Sequence, residues 1–225
     1  MRQLKVVALA TLVLGGAGEA SAQARGLPVY NSGVPRGIGL SAEFGKPNDA
    51  AGGGTTFGVR ALAGFGPIGA TAIVGRHDPS GTGEAVWSAG ATANLKLLGG
   101  PLIPLSVTLQ AGAGYTKSSL DCLPLGNCGA EPTEWRFPVG LGIGLNIPNP
   151  ALAIRPWIAP RVDIVRVSST GATTTDANFA ISGGVEFNLL TGLGAHVAYD
   201  WSKVGDVRPG IFGAGLHYAF RVPGL

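Results

Sequence analysis

Along most of this chain apolar residues alternate with small or polar ones, and the period is two. In residues 212–222, Phe212, Ala214, Leu216, Tyr218, Phe220 and Val222 share one face, while Gly213, Gly215, His217, Ala219 and Arg221 share the other. Successive Cβ atoms of a strand point to opposite faces, so such a segment has one greasy side and one small or polar side. Residues 178–189 repeat the pattern, with Phe179, Ile181, Val185, Phe187 and Leu189 opposed to Asn178, Ser182, Gly184, Glu186 and Asn188. Residues 135–146 and 105–115 do the same. Weaker runs at 37–45, 57–65, 68–76, 87–97, 152–167 and 193–201 bring the predicted strands to ten.

About 9 to 11 tilted residues suffice for a strand to cross a bilayer, and the predicted strands have that length. No later segment offers an uninterrupted apolar run long enough for a membrane helix. An open sheet edge in hydrocarbon would leave backbone groups unpaired at several kcal/mol each, so the sheet must close. The expected fold is therefore all-β, a closed antiparallel up-and-down transmembrane barrel over residues 37–222 with a short tail at 223–225. Eight strands behind a longer N-terminal extension is the alternative.

The expected connections alternate in length. Those at 66–67, 98–101, 148–150 and 190–192 are tight, whereas 46–54, 77–83, 118–133, 168–176 and 203–209 are longer and more polar. That is the asymmetry of periplasmic turns and extracellular loops. Trp87, Tyr115, Trp135, Tyr199 and Trp201 fall near strand ends on the apolar face, where an aromatic girdle would lie. Pro138, Pro156 and Pro160 fall inside strands, where a missing N–H removes a ladder bond, and bulges or shifted registers are expected there.

The N-terminus changes the picture from barrel to exported barrel. Arg2 and Lys5, an apolar run at 6–14 and the small residues Ala20-Ser21-Ala22-Gln23-Ala24 read as a cleavable secretory signal over residues 1–22, with Ala24 as a second cleavage point. Residues 23–36 would then be a periplasmic lead-in to the barrel. With 38 glycines and only 13% charged residues, the chain has little in common with a disordered one. Its net charge of +3 is not gathered into a basic stripe, which argues against nucleic acid as a partner. Cys122 and Cys128 are close together in a Pro- and Gly-rich loop, and export to an oxidising compartment favours a disulfide between them. Two thiolates without a neighbouring His make an incomplete metal site.

The export signal, the alternating strands and the C-terminal run Gly215-Leu216-His217-Tyr218-Ala219-Phe220 resemble the small bacterial outer-membrane β-barrel superfamily of OmpA-like, OmpX-like and OmpW-like proteins. The resemblance covers nearly all of the chain after the signal. It implies location in the cell outer membrane, contact with outer-membrane lipid and lipopolysaccharide, and delivery to the barrel-assembly machinery through the C-terminal strand. Family members usually finish on a terminal aromatic, whereas Phe220 is followed here by Arg221-Val222-Pro223-Gly224-Leu225.

On this register the inward charges are Glu43, Arg60, Lys96, Glu134, Arg136, Arg155, Arg161, Asp163, Glu186, His196, Asp200, His217 and Arg221. Acids and bases nearly balance, which favours a network of mutual pairs over free charge. Glu43 with Arg60, Arg136 with Asp163, and Glu186 with Arg155 or His196 are the expected pairs. No Ser lies at hydrogen-bonding spacing from His196 or His217, and the paired acids of a barrel protease are missing. His77 reads as an ordinary loop residue. The alternating glycines at 140, 142 and 144 lack a strand-to-helix setting and are better explained by an uncrowded lumen. The expectation is a barrel with a structural or surface-contact role, no catalysis and no cofactor. A narrow passive pore or carrier for small or hydrophobic solutes is the alternative, and a lipid-modifying or proteolytic barrel the third reading.

Overall fold

The computed structural model describes residues 24–35, 37–81, 84–100, 103–117, 132–147, 152–169 and 171–220. The signal segment, Cys122, Cys128 and Arg221 lie outside the described residues. Ten strands follow in chain order: β1 (Gly37–Pro47), β2 (Thr55–Phe65), β3 (Ile68–Asp78), β4 (Val86–Gly100), β5 (Ile103–Lys117), β6 (Thr133–Leu145), β7 (Leu152–Ser169), β8 (Ala172–Leu189), β9 (Leu193–Ser202) and β10 (Gly210–Phe220). Each pairs antiparallel with its neighbour in sequence, and β1 pairs with β10 to close the barrel. Ten strands, not eight, make the wall.

Alternation decides which side each residue occupies. On β2, Phe57 and Val59 are each 60% exposed on the outside, while the adjacent Thr56 faces the lumen and is fully buried. Leu216 on β10 and Trp87 on β4 are each 64% exposed, whereas Asp163 on β7 is 0% exposed. A water-soluble fold has the reverse arrangement, so this exterior suits hydrocarbon. Trp87, Tyr115, Trp135, Tyr199 and Trp201 gather at the end of the barrel that carries the longer connections, here termed the loop end; Tyr115 and Trp135 pack with ring centroids 5.0 Å apart. The other end, where the barrel's first and last strand residues meet as Ile38 opposite Phe220, is the turn end.

Two sequence expectations change. The connection at 168–176 is not a loop: β7 and β8 are 18 residues each and stay paired from Leu152–Leu189 to Ser169–Ala172. β9 joins β8 only as far as Ala180, so this hairpin, rich in β-branched residues, extends beyond β9, while on its other side β6 stays paired with β7 up to Thr133 opposite Ser168. The prolines do not shift the register. Ala111 faces Val139 and Gly114 faces Arg136 on either side of Pro138, and Gly140 faces Arg161 and Ile143 faces Ile158 on either side of Pro160, with the same offset throughout. Pairing with β8 runs unbroken through Pro156 and Pro160. A strand offers N–H groups to its two neighbours alternately, so a proline can forgo one bond on one side while the other ladder holds register. The register shift occurs instead on β4, where Lys96 faces Thr108 but Leu98 faces Val107. The extra residue lets Leu97 and Leu98 both point outward.

Candidate functional site

The lumen is where the inward side chains meet, and its walls are lined by many short residues. A ten-stranded barrel so lined is wider than its own side chains can fill. The space is taken by residues 24–35. Leu27 and Val29 are fully buried, and Ala24, Tyr30, Asn31 and Val34 are each less than a tenth exposed. These residues are thus not a periplasmic lead-in; they thread the barrel from the loop end, where Gly26 sits beside Thr56 and His77, to the turn end, where Pro35 lies against Gly64 and Gly69.

An extended segment brings its own N–H and C=O groups, and buried ones need partners. Val29 N–H donates to Asp200 Oδ2 at 2.8 Å, and its carbonyl accepts from Ser182 Oγ at 2.7 Å. Gln110 Nε2 donates to the Tyr30 carbonyl at 2.9 Å, and Arg25 N–H to Ser88 Oγ at 2.9 Å. Glycine on the wall makes the approach possible: a Cβ at Gly45 would overlap the Gly26 carbonyl, and one at Gly142 would lie 2.5 Å from the Asn31 carbonyl oxygen. Tyr30 occupies mid-depth, with Trp157 (6.3 Å) and His196 (4.7 Å) around its ring and the Arg60 guanidinium 4.4 Å above it. A cation held over the face of a desolvated ring is attracted to its quadrupole, so Arg60 ties the segment to β2 as well.

Around this segment the predicted charges fall into three groups. Towards the loop end, Arg161 Nε bonds Asp163 at 3.0 Å and its NH2 bonds Asp200 at 2.7 Å, while Arg136 also bonds Asp163. All four side chains are buried. At mid-depth Arg60 Nε bonds Glu43 Oε1 at 2.9 Å, and His196 Nε2 lies 2.8 Å from Glu43 Oε2. Nearer the turn end, Glu186 faces Arg155 across the β7–β8 pair and accepts from Asn188 Nδ2 at 2.8 Å. Arg155 Nε donates to Asn146 Oδ1 at 2.7 Å, and His217 Nε2 lies 2.8 Å from Asn188 Oδ1. Glu43 with Arg60 and Arg136 with Asp163 thus meet. His196 goes to Glu43 and not to Glu186.

His77 is not a loop residue: it is on β3, fully buried, with Nδ1 2.8 Å from Thr56 Oγ1. Ser41 Oγ lies near the Glu43–His196 pair but donates to the carboxylate at 2.6 Å, so the order of a nucleophile, base and orienting acid is not present there. Among the described residues no three His, Cys, Asp or Glu side chains come together as metal ligands. Sequence reasoning put Gln110 and Ser182 on the inward face without giving them a role, and it missed Tyr30 and Trp157. Trp157 shares the inward parity of Arg161, which was a readable signal.

No protein-family model matches the chain, and no curated protein sequence matches it. Solved structures do. The β-domain of the Bordetella autotransporter BrkA is 14% identical, with 81% of this chain and 98% of that chain covered and a TM-score of 0.50. Ail, the attachment invasion locus protein of Yersinia pestis, is 14% identical over 83% of this chain and 100% of its own, at a TM-score of 0.39. The N-terminal barrel domain of Pseudomonas aeruginosa OprF is 10% identical over 81% and 96%, at 0.40. Of these three, the BrkA domain superposes well enough to establish a shared architecture. This chain shares the closed β-barrel fold of that domain.

Proposed function

We propose that this protein is an outer-membrane barrel that neither catalyses a reaction nor conducts solutes, and that contributes structure to the envelope and presents its loop end for surface contact. The apolar exterior and its aromatic girdle support insertion among outer-membrane lipids, with the loop end facing outward among lipopolysaccharide. The C-terminal strand, with Tyr218 and Phe220 on its outer face, is the natural handle for barrel assembly. The long β7–β8 hairpin, carrying Thr173, Thr174 and Thr175, extends past β9 on the contact side.

The observation that carries the non-conducting reading is the threaded segment, because Tyr30 and its backbone neighbours stand at mid-depth in the route through the barrel and are bonded to the wall at Asp200, Ser182 and Gln110. The passive-pore alternative would need that route open. Planar-bilayer recording tests it: the mature protein should give no discrete openings, and a variant lacking residues 24–35 should give them. Discrete openings from the intact protein would overturn the reading in favour of a pore.

A further inference from the structure

The polar residues near the turn end are not all taken up by the pairs described above. Two cavities flank the threaded segment at Gly33, one of about 600 Å³ and one of about 360 Å³, and Arg155 lines both. They differ in charge. The larger one includes Glu186 with Arg60 and His217. The smaller is lined by Lys96, Ser106, Thr108, Asn146 and Arg155, two cations and three neutral polar side chains, with no carboxylate among the described residues of its wall.

Three features make the smaller cavity a built site. Thr108 is 1% exposed and its Oγ1 has no hydrogen-bond partner among the described residues, although leaving a buried hydroxyl unpaired is costly. Lys96 faces Thr108 directly across the β4–β5 pair, and directly opposed residues share a face, so the ammonium stem starts beside that hydroxyl. The register break just after Lys96 reshapes the wall here, as bulges do next to binding sites. Opposite them stands Gly33 with φ +126°, where a side chain would be strained; a Cβ there would lie 3.8 Å from Arg155 NH1, 3.9 Å from Thr108 Oγ1 and 4.0 Å from Ser106 Oγ. A guanidinium and two hydroxyls therefore converge on a point that the glycine leaves open.

The geometry points to an oxyanion site in this cavity, which takes a small soluble solute bearing a carboxylate or a phosphate from the turn-end side of the barrel. Arg155 and Lys96 supply charge, Thr108 supplies a hydroxyl donor, and Gly33 leaves the room. The site ends blind against the threaded segment, so it binds without conducting.

Isothermal titration of the full mature protein in non-ionic detergent, with inorganic phosphate and with acetate as separate probes at low ionic strength, tests this. At least one probe should bind saturably at one site per chain. Lys96→Gln should weaken that binding at least tenfold, and Thr108→Val, which keeps volume and charge, should weaken it several-fold. Lys203→Gln, a like charge change on the exposed connection after β9, should leave it unchanged. Heat-modifiable gel migration establishes that each variant is folded. Absence of saturable binding to both probes, or equal weakening by Lys203→Gln and Lys96→Gln, would overturn the assignment, the latter by showing diffuse charge attraction only.

Discussion

The two halves of the lumen use the same kinds of side chain to opposite effect. Towards the loop end, Arg136, Asp163, Arg161 and Asp200 bond one another directly, all are buried, and Asp200 also holds the threaded backbone through Val29. Towards the turn end, Arg155, Glu186, His217 and Lys96 border open space; Arg155, Glu186 and His217 bond the amides of Asn146 and Asn188, and Glu186 lies opposite Arg155 and 4.0 Å from His217. Asp163 between two guanidinium groups, and Asp200 between a guanidinium and a peptide N–H, are fastenings, because removal of any member strands a buried charge. A guanidinium beside an amide and a cavity keeps its charge available to something else. Inward charge in a barrel therefore does not by itself indicate a pore; what matters is whether each charge already has its partner on the wall.

Substitutions should expose this difference, and the largest effect belongs to the loop-end half. Asp200→Ala removes the acceptor of both Arg161 and Val29 N–H, and should destabilise the folded barrel by about 3–5 kcal/mol. Urea titration of the folded fraction on unboiled gels measures it. A cost below about 1 kcal/mol would mean that water, not Arg161, satisfies this carboxylate. Tyr30→Ala empties the mid-depth contact with Trp157 and His196 and should cost about 3 kcal/mol in the same titration, with a shift in Trp157 emission as the ring becomes hydrated. Unchanged emission would place Tyr30 away from Trp157. Glu186→Gln, which keeps the side chain's shape beside Asn188, should cost less, about 1 kcal/mol, because its carboxylate borders the larger cavity and its ion pair with His217 is long, at 4.0 Å. An effect as large as that of Asp200→Ala would erase the contrast between the halves.

Much of the wall was legible because a strand's period of two is imposed on every residue that faces lipid. The outward Phe212, Leu216 and Tyr218 and the inward His217 and Gly215 could be assigned from spacing alone. The pairings Glu43–Arg60 and Arg136–Asp163 followed, since adjacent strands and similar heights leave few alternatives. The threaded segment carried no such signal: residues 24–35 are too few, and too irregular, to show a period. What they did carry was composition. Leu27, Val29, Tyr30 and Val34 are poor choices for a stretch bathed in periplasmic water, and the small inward residues at Gly45, Gly64 and Gly142 left a volume that something had to fill. His77 was misplaced for a related reason. A strand's end is set by pairing, and β3 continues to Asp78 because Thr55 and Thr56 on β2 remain opposite it.

The most direct test of the threaded lumen is a cross-link between the segment and the wall. Leu27 and Ile73 pack in one buried cluster, so Leu27→Cys with Ile73→Cys, in a background where Cys122 and Cys128 are replaced by Ser, should form an intramolecular disulfide in intact outer membranes. The expected result is a cross-linked species that migrates faster than its reduced form and is absent from either single-cysteine variant. Full and rapid labelling of the thiol introduced at position 27 by a membrane-impermeant maleimide added from the periplasmic side, with no cross-link, would show that residues 24–35 lie outside the barrel and would contradict the threaded lumen.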